Sequence, residues 1–278
     1  MNRINSCILF ILLITGFSGC TGQGKSFVPS IPGYDASRKT TLVLDKDLLE
    51  ISGMFWLPNN TIAAINDEEG KVFLVDPEDG DLRVRKFGKK RDYEDIVQLD
   101  SFYFVLESNG NIHRVPVNVK HVEDEFEFHR KKKIEFESLY IDPNNQLILL
   151  SKEQRESKKG VLAYSFNPIT LQFSDTPVYA IRWKDIRNQF KNNNVEFKPS
   201  AAAIHPVKRT LFIVASVGKA MLETSLEGEV LAAYQLNPDQ FPQPEGLTFA
   251  PNGDMYISNE GVDGKGTILK FPYSGNSK

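Results

Sequence analysis

Along the chain, short apolar runs are followed by a tight turn and a second apolar run that ends in polar residues, and this unit recurs. The segments Ile51–Pro77, Tyr93–Val117, Phe136–Glu153, Pro199–Ser216 and Pro244–Glu260 align on it. Each opens with an apolar residue or proline, then Ser or Glu, then usually a small residue, then a strand-like run. Four of the five turns are built on proline: Pro58-Asn59-Asn60, Pro143-Asn144-Asn145, Pro206-Val207-Lys208-Arg209 and Pro251-Asn252-Gly253. Such turn chemistry between apolar runs predicts a pair of antiparallel strands. Further β-rich runs, such as Val72–Val75 with Leu82–Arg85, raise the count to four short strands per repeat. Four strands in about 43 residues is the period of a β-propeller blade.

The repeat predicts an all-β chain with five four-stranded blades. The opening Ser or Glu positions are Ser52, Glu94, Glu137, Ser200 and Glu245, at spacings of 42, 43, 63 and 45. The last repeat supplies only three strands, Leu247–Ala250, Met255–Ser258 and Thr267–Phe271, so Thr40–Leu44 is expected to complete it and close the ring. Closure of this kind hides an exposed sheet edge. Six blades is the alternative, but the surplus in the long interval, residues 154–160 and 185–198, is too short for another blade. Those two stretches are expected as loops on the face that carries the repeat openings.

Residues 1–19 read as a signal segment, with Arg3 ahead of the apolar run Cys7–Ile14, which is far shorter than the ~20 residues of a membrane-spanning helix. The ending Phe17-Ser18-Gly19-Cys20 resembles a bacterial lipoprotein signal, and implies lipidation at Cys20. Residues 20–39, rich in Gly, Pro and Ser/Thr, read as a lipidated Cys and tether, and 40–274 as a single propeller domain. The chain is then expected as an exported, membrane-anchored lipoprotein of the bacterial cell envelope. Cys7 leaves with the signal and Cys20 carries lipid, so no disulfide or thiol nucleophile remains.

Composition narrows the function classes. The chain has 33 Lys+Arg against 36 Asp+Glu, a formal charge of −3 with the signs interspersed. A nucleic-acid binder would need a basic face, so that class is set aside. The four histidines share no common spacing, which argues against a histidine-based triad; His205, within Ile204-His205-Pro206, is expected as a turn residue. Monomer is the expected state.

Several openings carry a family resemblance. Ile51-Ser52-Gly53, Tyr93-Glu94-Asp95, Phe136-Glu137-Ser138 and Pro244-Glu245-Gly246, with Asn66-Asp67-Glu68-Glu69-Gly70 after the second run of the first repeat, are similar to the SdiA-regulated (YjiK-like) family. The resemblance spans about 40–272. It implies a five-bladed propeller in an exported, membrane-associated bacterial protein. Asp95, Ser138 and Ala201 stand where the family pattern has glycine.

In a propeller the first strand of each blade lines the axis, and its start shares a face with the end of the second. The aligned positions therefore predict an inner set on one face, Ser52, Glu94, Glu137, Ser200 and Glu245. Around it lies an outer set drawn from Asp67, Glu68, Glu107, Lys152 or Glu153, Ser216, Asn259 and Glu260. Two carboxylates ~6 Å apart repel by roughly 3 kcal/mol at an effective dielectric near 20, so a ring of them needs a cation, raised pKa values or hydrogen-bond donors. An oxygen-only donor set suits Ca²⁺ or Mg²⁺ rather than zinc, Ca²⁺ first. Three readings stand together. Glu94, Glu137 and Glu245 hold a divalent cation and, through it, a small-molecule or glycan ligand; or they serve a metal-dependent hydrolase of lactones, phosphates or esters; or the face is a protein-interaction platform in which these residues only brace neighbouring blades.

Overall fold

A computed structural model describes residues 25–118, 124–129, 134–153, 160–192, 194–261 and 264–275. It contains five antiparallel sheets. Blade 1 is formed by Ile51–Trp56, Ile62–Asn66, Lys71–Val75 and Leu82–Lys86. Blade 2 follows with Tyr93–Leu99, Phe102–Glu107, Ile112–Pro116 and Asp124–Phe126. In blade 3, Glu135–Ile141, Leu147–Glu153 and Gly160–Asn167 pair in order, and both Gln172–Phe173 and Tyr179–Arg182 pair with the third strand. Blade 4 contains Ala201–Ile204, Leu211–Ala215, Ala220–Thr224 and Val230–Leu236. Blade 5 is Pro244–Phe249, Met255–Asn259 and Thr267–Phe271, completed by Thr40–Val43, so the chain ends close the ring as the short last repeat predicts. The first strands pack against one another in the cyclic order of blades 1 to 5. Five blades stand, and six is excluded.

The burial pattern follows from this stacking. Second strands such as Ile62–Asn66 and Leu211–Ala215 are buried at every residue because each blade is covered on both sides. The outermost strand Leu82–Lys86 is half exposed and mixes polar with apolar residues. Five apolar clusters form, one in each gap between blades. Strand alternation deals neighbouring residues into opposite gaps: Phe212 and Val214 pack toward blade 5, whereas Leu211, Ile213 and Ala215 pack toward blade 3.

Two departures from the sequence expectation matter for the site. Residues 185–198 are not simply a loop, because Trp183–Phe190 is a helix whose Ile186 is fully buried in the gap between blades 3 and 4. Its Gln189 Nε2 donates to the Val230 carbonyl, 3.3 Å. The repeat does not carry it, because Trp183, Ile186 and Phe190 recur at helical spacing and pack into that gap. The second expected loop, 154–160, lies outside the described residues except for Gly160.

The other departure is the tether. From Lys25 onward the chain is seated on the propeller: Phe27–Val28 adds a fifth strand to blade 4, pairing Phe27 with Leu236 and Val28 with Gln235. Phe27, Ile31 and Tyr34 are buried between blades 4 and 5. Burial of such side chains contributes about 2 kcal/mol each, enough to fix a segment whose glycine- and serine-rich composition reads as flexible. Tyr34 is also held by His205. The His205 Nδ1 accepts the amides of Val207 and Lys208, so its Nε2 carries the proton given to the Tyr34 hydroxyl at 2.9 Å. His205 is the turn residue expected, fully buried and neutral, with burial and then Lys208 pushing its pKa down to about 4. No helix among the described residues is long and apolar enough to cross a membrane.

Candidate functional site at the axial mouth

Four of the five inner-set residues stand at β-bulges, and Ser200, ahead of a regular first strand in blade 4, does not. In blade 2 the register runs Tyr93 to Glu107 and then Asp95 to Leu106, which leaves Glu94 unpaired. In blade 3 it steps from Phe136 opposite Ser151 to Ser138 opposite Leu150, leaving Glu137. Blade 5 steps from Pro244 opposite Asn259 to Gly246 opposite Ser258, leaving Glu245. Blade 1 carries the same shift across Ser52 and Gly53. A bulge releases one residue from the ladder and re-aims its side chain. The bulge repeats because the chain must turn out of the crowded centre. A Cβ on Gly53 would meet Asp95 Cα of the next blade at 2.5 Å, and one on Gly246 would meet the Ser52 carbonyl oxygen at 2.9 Å.

The residues at the openings of the first strands divide by role. Ser200, buried, donates to the Pro244 carbonyl at 2.7 Å and accepts the Ser216 amide at 3.2 Å, so it ties blade 4 to blade 5. Asp95, one of the departures from glycine, does the same between blades 2 and 3: its carboxylate accepts the amides of Ile96 and Leu139 at 2.8 and 2.7 Å. The glutamates face other partners. Glu137 is buried and ion-paired with Lys152 of its own blade. Glu245 hydrogen-bonds Ser216 and feels Glu260, Lys152 and Lys219. Glu94 lies within the field of Asp92, Lys152, Glu245 and Asp67.

Charge is unevenly spread around the mouth. Burial, then Asp92, raises Glu94 to about 8, with Lys152 opposing. Burial raises Glu245 to about 7, against the Ser216 hydrogen bond. Asp67 rises to about 6, through burial and then Glu50, Glu260, Glu68 and Asp92. Burial and Glu50 raise Glu260, while Gln243 hydrogen-bonds it. Lysines stand among these carboxylates. Lys152, Lys198 and Lys219 line a cleft of about 700 Å³ together with Glu137, Ser216, Gln243 and Glu245. Burial lowers Lys219, with Glu245 opposing. Two oxygens on the acidic side, Asp67 Oδ1 and Asn259 Oδ1, are buried and have no hydrogen-bond partner among the described residues.

Other outer-set positions separate. Glu68 is on the rim, 3.3 Å from Lys90. Glu153 pairs in the sheet with Glu135, and its side chain lies outside the described residues, as does Cys20. Glu107 sits one register step from the mouth position, which blade 2 fills with Ser108, whose hydroxyl donates to Asp92. Glu107 instead meets His113 Nε2 at 3.0 Å and Arg91. Burial opposes its ionisation, but His113 and Arg91 hold its pKa below the ordinary value. Ligand atoms of Glu107, His113 and Glu125 lie within 4.8 Å of one another, a metal-like spacing. The Arg91 guanidinium already bridges the two carboxylates there, at 3.3 and 3.0 Å. Lys198, Lys219 and Gln243 escaped the sequence alignment because they fall in loops between strands. Blade topology is the signal that finds Lys219, since the turn from second to third strand always opens on the mouth.

Among proteins of curated function, none matches the chain by sequence. Solved structures share the architecture at low identity. Regucalcin from Agrobacterium tumefaciens, described as a calcium-binding protein, superposes with a TM-score of 0.54 at 12% identity, over 84% of this chain and 94% of that one. A luciferin-regenerating enzyme gives 0.53 at 14%, over 85% and 97%. A putative gluconolactonase gives 0.51 at 10%, over 82% and 76%. These likenesses establish the propeller fold. The family model for SdiA-regulated proteins matches residues 38–262, most of the chain, with the bulged Ser and Glu openings inside it, and the protein belongs to the SdiA-regulated family.

Proposed function

We propose that this is a lipid-anchored envelope protein, exported and monomeric, whose axial mouth binds a divalent cation and through it a small polar ligand such as a glycan. The observation that carries the reading is the acidic side of the mouth, where Glu94, Glu245 and Asp67 are held near neutrality beside the unpartnered Asp67 Oδ1. Carboxylates in that state ionise when a cation relieves their repulsion. The donors are all oxygens, which favours Ca²⁺ and then Mg²⁺. Glu137, already matched by Lys152, supports the site rather than the ion. The calcium-binding description of the regucalcin structure agrees with this reading but belongs to that protein.

Thermal unfolding at pH 8 tests it, in EDTA and in millimolar Ca²⁺. A ligand at one hundred times its dissociation constant stabilises by ~2.7 kcal/mol, so a clear rise in Tm is expected, lost in Glu94→Gln/Glu245→Gln. Equal Tm in both buffers excludes the cation. Hydrolysis is a second reading, favoured by Glu245 alone, since a carboxyl group near 7 has the acidity of a general base at neutral pH. Lactone or ester turnover abolished by Glu245→Gln supports it, and turnover unaffected by that change rules it out.

A further inference from the structure

The strand Phe27–Val28 runs antiparallel to Val230–Leu236, with Phe27 opposite Leu236. Leu236 is the end of that strand that meets the mouth: its amide bonds the Lys219 carbonyl at 2.8 Å, and neighbouring Gln235 and Pro238 line the cleft. Going backward along the chain, Ser26 accepts the Asn237 amide through its carbonyl and donates to Gln240 through its hydroxyl. The chain therefore leaves the propeller at Lys25 on the mouth face, beside the cleft. Four residues lie between Cys20 and Lys25, so the two are at most about 17 Å apart when the chain is fully extended.

From this placement we infer that the mouth opens onto the membrane that carries the anchor, so that its ligand is a polar lipid headgroup presented from the bilayer surface. The inference rests on the lipidated Cys20 of the proposed function. It adds an orientation that lipidation alone does not give, because a tether starting at residue 40 would let the propeller tumble. With Phe27, Ile31 and Tyr34 buried between blades 4 and 5, the linker is too short to bring the opposite face, with the turns at Asn59–Asn60 and Val207, down to the lipid. Lys219 is tied to the anchor-bearing strand through its carbonyl at Leu236, and with Lys198 it lines the same cleft as Glu137 and Glu245. A headgroup phosphate would meet the lysines, and a cationic or cation-bridged portion would meet Glu94, Glu245 and Asp67.

Site-directed fluorescence tests the orientation on the full lipoprotein in phosphatidylglycerol-containing vesicles. With Cys20 lipidated the chain has no free thiol, so single cysteines can be labelled at Asp239→Cys and Lys90→Cys on the mouth face and at Val207→Cys on the opposite face. Lipid-borne quencher should quench the first two labels severalfold more than the third, and a twenty-residue Gly/Ser insertion after Gly24 should erase the difference. Equal quenching at all three sites, or stronger quenching at Val207→Cys, overturns the orientation. Mass measurement of the same preparation separates the two ideas. Cys20 without lipid overturns the anchor and the orientation with it, whereas a lipidated chain with equal quenching overturns the orientation alone. Headgroup binding is read with water-soluble short-chain phosphatidylglycerol: saturable binding weakened at least fivefold by Lys219→Met is expected, and no binding removes the headgroup as ligand.

Discussion

On the blade 3 side of the mouth a buried carboxylate, Glu137, is met by the ammonium of Lys152. Toward blades 2 and 1, Glu94 and Asp67 face further carboxylates, and in blade 5 burial outweighs Ser216 and the lysines at Glu245, so all three are held up near neutrality. All of these residues come from the same repeat, and three of the four stand on or beside the same bulge. What differs is the residue at the end of the second strand: Lys152 in blade 3, but Ser108 in blade 2 and Glu260 in blade 5, with Asp67 of blade 1 beside them. An inner glutamate is thus neutralised within its own blade only where the second strand ends in a lysine, as in blade 3, and not in blade 2 or blade 5. The lysine side reads as a built support and the acidic side as the place where a ligand has work to do.

The largest expected effect comes from removing the support. Lys152→Met strips Glu137 of its partner and should lower stability by about 2 kcal/mol at pH 8, less than a fully buried pair because Lys152 is partly exposed. Urea unfolding reads the loss, and adding Glu137→Gln should recover most of it. If Lys152→Met unfolds at the wild-type midpoint, the two sides do not differ in the way described.

Glu107→Gln gives a control of known sign. Its folded pKa is depressed by His113 and Arg91, so its stabilisation is present above the unfolded value and is lost as pH falls through the folded one. The variant should be weaker by about 1–2 kcal/mol at pH 7, with the gap closing below pH 4. A gap that persists into strong acid contradicts the ionic account of this pair.

The acidic side should respond in the opposite direction. Glu94 has a raised folded pKa of about 8, so its contribution is full below the unfolded value and disappears as pH rises through 8. Without added cation, Glu94→Gln should therefore match wild type at pH 4 but exceed it at pH 9 by roughly 1 kcal/mol, about 2–4 °C in Tm. Asp67→Asn should show the same sign with a smaller gain, about 1 °C by pH 8, and should weaken Ca²⁺ binding by removing the carboxylate charge. A loss of stability at high pH in either variant would mean that these carboxylates are already satisfied.

How far the sequence reaches into this picture follows from the kind of information each feature needs. Blade number, strand count and ring closure by Thr40–Val43 are legible because they repeat, and repetition reveals a period without any contact being known. The bulges at Glu94, Glu137 and Glu245 are not legible, since a bulge is a relation between two strands and each strand alone reads as regular. The same limit misplaced Glu107 by one position: alignment by similarity put a glutamate in the outer set, where register puts Ser108. Composition misled at residues 25–38, because Phe27, Ile31 and Tyr34 are sparse among glycine, proline and serine, yet each fills a gap that blades 4 and 5 leave open. Lys152 was visible as an aligned residue, but its role depends on a distance.

The central claim is that the acidic side of the mouth holds protons that a cation replaces. Titration calorimetry with Ca²⁺ at pH 7, repeated in buffers of different ionisation enthalpy, measures the protons released per ion bound. With Glu94 near 8 and Glu245 near 7, saturation should release roughly one to two protons, falling to none in Glu94→Gln/Glu245→Gln. Ca²⁺ binding with no proton release, or no binding heat in any buffer, would contradict the account.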